Sequence, residues 1–196
     1  MTQQQDPAQR LSVADGSSDT RSLILEVTYE LLEQMGYAAV TTDHIAAEAR
    51  VSKATIYRLW RTKQALVVDA AKQHLSKVDA PDLGSFRAEV HWVLEHRMRD
   101  YRDPKTLRLV AELVGVAVGD PQFRELFDAW VAMLSASLEE VIGRGIERGD
   151  VRSDVDTAAL STLIAGIVAR TVVAQQPFDE QTMTPIVSLV ARAAAP

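Results

Sequence analysis

The sequence predicts an all-α chain of about nine helices, an expectation that rests on three observations. Apolar residues recur at helical spacing through most of the 196 residues. No run alternates apolar and polar positions between hairpin turns, as strands would. Gly, Pro and Asp punctuate the chain at helix-length intervals, and residues about 42–61 carry the pattern of two short helices around a tight turn.

The elements follow in order. Residues 1–19 are rich in Gln, Ser and Asp and predict a disordered arm. Helix 1 is expected from Thr20, its cap, to Met35, with Ile24, Val27, Leu31 and Met35 inward and Gly36 as its stop. Thr41 caps the next helix, in which Ile45, Ala46 and Ala49 form an inward face of mostly small side chains. Arg50-Val51 makes the turn. Ser52 caps the following helix, and Ile56 and Trp60, four apart, share its buried side. Thr62 caps a further helix carrying Leu66, Val67 and Ala70. Ala80-Pro81-Asp82-Leu83-Gly84 reads as a linker. Beyond it helices are expected over Ser85–Arg102, Pro104–Val118, Pro121–Arg148, Asp154–Gln175 and Asp179–Ala194.

The helix after Ser52 turns Lys53, Ala54, Tyr57 and Arg58 away from its buried side, with Thr55 beside them. These types suit the major groove of DNA. Lys and Arg neutralise phosphates or donate to guanine, Ala and the Thr methyl meet a thymine methyl, and a Tyr hydroxyl reaches a phosphate oxygen. No acidic residue falls between Glu48 and Asp69, while Arg50, Lys53, Arg58, Arg61 and Lys63 all do. Cations at helix starts, such as Lys53 and Lys63, oppose the helix dipole by about 0.3–1 kcal/mol each. A phosphate docked there turns that cost into attraction.

In these residues the chain resembles the TetR family of bacterial transcriptional regulators. The match runs from about Thr20 to His74 and is densest at Gly36-Tyr37, Thr41, Ile45-Ala46, Ala49, Val51-Ser52-Lys53, Ile56-Tyr57, Lys63 and Leu66. The resemblance implies a three-helix helix-turn-helix DNA-binding domain, residues 20–79, followed by a helical ligand-binding and dimerisation domain, residues 85–196. It implies that Thr42 and Lys63 contact phosphates and that Lys53, Ala54, Thr55, Tyr57 and Arg58 form the recognition face, with Arg61 beside them. Asp43 stands where a carboxylate can accept from cytosine N4. The family usually has Gly in the turn where this chain has Arg50. A left-handed Arg there costs about 1–2 kcal/mol more than Gly. Trp60 stands where the family more often has Phe.

The net charge of −6 looks wrong for a DNA binder, but its distribution resolves this. Charges balance through residue 77, so the whole acidic excess lies beyond the proposed DNA module. Cys is absent, which excludes disulfides and thiol chemistry and fits a reducing bacterial cytoplasm. The N-terminus lacks the apolar core of a secretory signal. Val155–Ala174 is interrupted by Asp156 and Arg170, so no membrane span is expected.

Leu160, Leu163, Ile164, Ile167, Val168, Thr171 and Val172 cover a broad face of one C-terminal helix, and Ile186, Leu189, Val190 and Ala193 make a stripe on the last. A helix apolar nearly all round must be buried, so one side is assigned to its own core and the other to a second subunit. Two such helices per chain would give a four-helix bundle across a twofold axis. Trp92, Met98, Tyr101, Phe123, Phe127, Trp130 and Met133 gather in the middle helices, as pocket walls or as ordinary core. The resemblance implies a small-molecule effector there.

No nucleophile elbow, H-E-x-x-H or P-loop occurs. His91 and Glu95 share a helix face without a third ligand, so neither metal nor cofactor is expected. The sequence therefore points to a homodimeric regulator on a palindromic operator of double-stranded DNA, most often a repressor, released by an effector. Two alternatives stay open: an activator or ligand-independent regulator, and a helical carrier or enzyme whose basic face is incidental.

Overall fold

The computed structural model describes residues 7–75, 79–174 and 179–196. Among them the regular elements are helices, in the order α1 (Pro7–Ala39), α2 (Thr42–Glu48), α3 (Lys53–Leu59), α4 (Lys63–His74), α5 (Phe86–Asp100), α6 (Pro104–Gly119), α7 (Pro121–Arg148), α8 (Thr157–Ala174) and α9 (Glu180–Ala194). The chain divides into two compact units, one ending at His74 and one starting at Leu75.

In the first unit α1 packs on α4 and α2, and α2 on α3. Helix α1 starts at Pro7 rather than Thr20, so residues 7–19, assigned by sequence to a disordered arm, have helical backbone; the arm's first six residues lie outside the described residues. Gly36 breaks α1 as expected, with φ 78 and ψ 166. Ile24, Val27 and Leu31 are buried, joined by Leu25, Thr28, Tyr29 and Leu32. Met35 instead lies 42% exposed, one residue before the break. From α4, Leu66, Val67, Val68, Ala70 and Ala71 complete this core.

In the second unit α5 packs on α9, α7 and α8, while α6 packs on α7 and α8. The caps follow the side-chain types: Ser85, Asp103, Asp120 and Asp179 each accept a backbone N–H from the first turn beyond them. Gly149, φ 82, closes α7 in the left-handed conformation. The predicted linker belongs to this unit. Arg144 donates to Ala80 O (3.1 Å) and to Glu89 Oε2 (2.9 Å), and Leu83 N donates to Glu89 Oε1 (3.3 Å). Glu89 is fully buried and also pairs with Arg148 at 2.8 Å.

Helix α8 starts after Asp156, so Arg170 alone interrupts it with a charge. By length and composition it could cross a membrane, with mean hydropathy 1.7, a test that a core helix of a globular protein also passes. One side of it, including Leu160, Ser161, Ile164, Thr171 and Val172, is nonetheless buried in the unit's own core.

Candidate nucleic-acid interface

Helices α2 and α3 are each only seven residues long and are held by capping and by packing. His44 N donates to Thr41 Oγ1 (3.2 Å), Thr55 N to Ser52 Oγ (3.1 Å) and Ala65 N to Thr62 Oγ1 (3.1 Å), so all three expected caps form. Between α2 and α3 the chain reverses at Arg50, whose φ of 54 is left-handed. Val51 N donates to Ala46 O (3.0 Å) across that turn. Arg50 thus adopts the conformation in which a Cβ is a liability.

Burial separates the two sides of α3. Ile56 (1% exposed) and Trp60 (4%) are inside, while Lys53, Ala54, Tyr57 and Arg58 are exposed, Tyr57 by 49%. A three-sided clamp fixes the far end. Asp69 on α4 accepts from Trp60 Nε1 (2.9 Å) and from Arg21 on α1 (2.7 Å), and the Arg21 guanidinium lies 5.2 Å from the Trp60 ring centre. Tryptophan therefore adds to the buried role a hydrogen bond that Phe lacks.

The exposed groups are organised before any DNA arrives. Thr42 Oγ1 and the Tyr57 hydroxyl share a hydrogen bond of 3.2 Å, tying the start of α2 to the exposed side of α3. Asp43 and Lys53 form an ion pair across the same gap. Thr55 is half-buried and its hydroxyl lies 2.9 Å from Ser52 Oγ. Lys63, assigned by the resemblance to a phosphate, is engaged within the fold. Its Nζ donates to Tyr37 O at 2.5 Å and sits 4.1 Å from the Tyr37 ring centre, which pins the α4 start to the segment after Gly36. Arg50, Arg58 and Arg61 are exposed.

The expected ligand residues divide. Tyr101, Phe127 and Trp130 line an apolar cavity of about 370 Å³ within the second unit. Trp92 is elsewhere: it stacks on His96 (3.6 Å between centres) and borders a separate groove with His91 and Glu95. Met98 and Phe123 are core residues, 3% and 0% exposed, and Met133 is half-buried away from the cavity wall. Arg97, also on the wall, escaped the sequence reading because a charge in a helix reads as solvated. The signal was its register: Val90, Val93, Leu94, Arg97 and Tyr101 share one face of α5.

The expected dimer residues also divide, by side. Leu160, Ile164, Thr171 and Val190 are buried within the unit; Ile167, Val168 and Ile186 are half-buried; Leu163 (58%), Leu189 (60%) and Ala193 are exposed. Among the described residues no group of three or more His, Cys, Asp or Glu could hold a metal.

A capped, basic helix-turn-helix with one exposed helix face defines a DNA-binding protein class, and comparison with known proteins gives the family. The family model described as "Bacterial regulatory proteins, tetR family" matches residues 24–70, and that described as "Tetracyclin repressor-like, C-terminal domain" matches residues 80–190. The chain belongs to the TetR family of transcriptional regulators. It is 29% identical over 151 residues to the uncharacterized HTH-type transcriptional regulator YdeS of Bacillus subtilis (strain 168), covering 75% of each chain. It is 26% identical over 171 residues to the DNA-binding transcriptional repressor TetR of Mycobacteroides abscessus, covering 83% of this chain and 87% of that one. Its fold matches the crystal structure of the TetR family transcription regulator SCO0332 with a TM-score of 0.70 and 26% identity, covering 91% of this chain and 100% of that one.

Proposed function

We propose that this regulator is a homodimeric repressor that binds a palindromic operator and leaves it when a small molecule occupies the second unit. One observation carries the DNA reading: Lys53, Ala54, Tyr57 and Arg58 are exposed together on a helix whose other side is locked by Ile56, Trp60 and Asp69. A rigid, cationic helix face on a helix-turn-helix is what enters the major groove. Repression follows the relative named as a repressor.

Two features support the dimer. Leu163 and Val173 on α8 and Leu189 on α9 leave large apolar side chains 58%, 69% and 60% exposed, while the opposite sides of both helices are buried. Large exposed apolar patches mark interaction sites. A second copy of the same faces covers them by twofold symmetry. The same pairing, rather than a bilayer, accounts for the open side of α8. Two recognition helices then meet half-sites about one DNA turn, roughly 34 Å, apart. Effector release is a population shift between dimer geometries, which requires that the effector bind one more tightly than the other. Working on DNA places the protein in the bacterial cytoplasm.

Capture of genomic fragments by the purified protein, followed by footprinting, tests this. An inverted repeat with two protected half-sites is expected. Captured fragments without a shared motif would refute sequence-specific regulation.

A further inference from the structure

The cavity in the second unit is walled by α5, α6, α7 and α8, and almost all of its lining is hydrocarbon from Val, Leu and Ala. Besides Ser135, whose hydroxyl donates to Val131 O (3.1 Å), three buried side chains bring polar groups to that wall. Arg97 is 5% exposed, Tyr101 8% and Trp130 1%. Among the described residues the buried indole N–H of Trp130 has no hydrogen-bond acceptor. Buried donors are nearly always paired, so one left open on a cavity wall calls for an acceptor from a ligand or from ordered water. All three groups donate: guanidinium, phenol and indole.

Resting on the effector-site reading above, we propose that this cavity binds an apolar organic acid, its carboxylate taken by Arg97, Tyr101 and Trp130 and its hydrocarbon body lying along α6 and α8.

The charges decide between ligand classes. The interior charge on the wall is positive, and the carboxylate on the wall, Asp128, is exposed at the rim, where water screens it. A cationic head would have to stop at that rim, away from the Arg97 guanidinium. A neutral ligand would bury the guanidinium without adding a counter-charge, which is unfavourable. Burial already holds Arg97 below its usual range, opposed by the nearby Tyr101 and Asp100, so its charge gains from a further anion. Burial likewise pushes the Tyr101 phenol up, which keeps it a neutral donor. At roughly 30 Å³ per water-sized group, 370 Å³ holds about a dozen heavy atoms. That suits a medium-chain fatty acid or an arylalkanoic acid.

The test is calorimetric titration of the full-length protein with decanoate, 4-phenylbutyrate, 1-decanol and decyltrimethylammonium, with operator binding measured on the same preparation. At least one acid is expected to bind ten-fold or more tighter than the alcohol and the ammonium, and the stronger acid identifies the chain type. Arg97→Met should erase that preference while leaving decanol binding in place. Arg97→Lys, which keeps a cation if Met prevents folding, should retain most of it. Trp130→Phe should weaken the acid several-fold and spare the alcohol. Equal binding of acid and alcohol by the native protein, or an acid preference that survives Arg97→Met, overturns the proposal. If the alcohol also releases operator DNA, the effector-site reading stands and only the anion assignment fails. If no probe binds while operator binding is intact, the organic-acid proposal fails and the effector-site reading, which names no ligand class, is untouched.

Discussion

Asp43→Ala removes the carboxylate that pairs with Lys53 between α2 and α3. The pair is solvent-rich, with side chains 66% and 49% exposed, so its loss costs the fold only about 0.2–1 kcal/mol. Asp43 also sits in the first turn of α2, where a negative charge gains about 0.3–1 kcal/mol from the helix dipole. The fold therefore loses about 1 kcal/mol, small beside a typical 5–15 kcal/mol. The effect on DNA is larger and has two opposite parts. Lys53, no longer held by its neighbour, becomes free to neutralise a phosphate. Each added phosphate contact steepens the log–log salt dependence by about 0.9, hence by nearly 2 for a dimer. Sequence preference falls at the same time, by about 1–3 kcal/mol at one base pair if Asp43 accepts from cytosine. Fluorescence anisotropy on operator and scrambled duplexes across a salt series reads both parts. Tighter, more salt-sensitive binding to the scrambled duplex is expected. An unchanged slope with weaker binding to every duplex would refute the idea that Asp43 restrains Lys53.

Other outcomes follow from the same geometry. Arg50→Gly relieves a left-handed residue at φ 54 and should stabilise the first unit by up to about 1 kcal/mol after the entropy cost of Gly, seen as a raised thermal midpoint in circular dichroism. Leu163→Asp combined with Leu189→Asp should give a folded monomer in light scattering, and a persisting dimer would move the interface elsewhere. Glu89→Ala removes the buried carboxylate that Arg144 and Arg148 share and should cost about 2–3 kcal/mol in urea unfolding, below the value for fully buried pairs because both arginines reach water and Arg148 keeps Asp82 and Asp150. Tyr57→Ala should weaken operator binding with the far-ultraviolet spectrum unchanged; equal affinity would remove Tyr57 from the interface.

Much of the fold was legible because its boundaries are written in short-range chemistry. Thr41, Ser52, Thr62, Asp103, Asp120 and Asp179 cap helices through their own side chains, and Pro104 and Pro121 start them. The helical backbone of residues 7–19 was not legible, since polar composition argued for an arm. Which side of α3 is exposed was readable from the Ile56–Trp60 spacing. The restraints on it were not: Lys63 on Tyr37, and Arg21 and Trp60 on Asp69, join residues distant in sequence that only packing brings together. The cavity was half-visible for the same reason. Aromatic content pointed to the right helices but could not separate Trp130 on the wall from Trp92 outside it.

The most direct test of the account is the salt dependence of binding to a genomically captured duplex, measured with and without Arg58→Ala and Lys53→Ala. The account predicts a steep loss of affinity with salt, a preference of at least a thousand-fold over scrambled DNA, and a slope reduced by about 1 or more in each variant. A shallow slope, with both variants indistinguishable from the native protein, would contradict it.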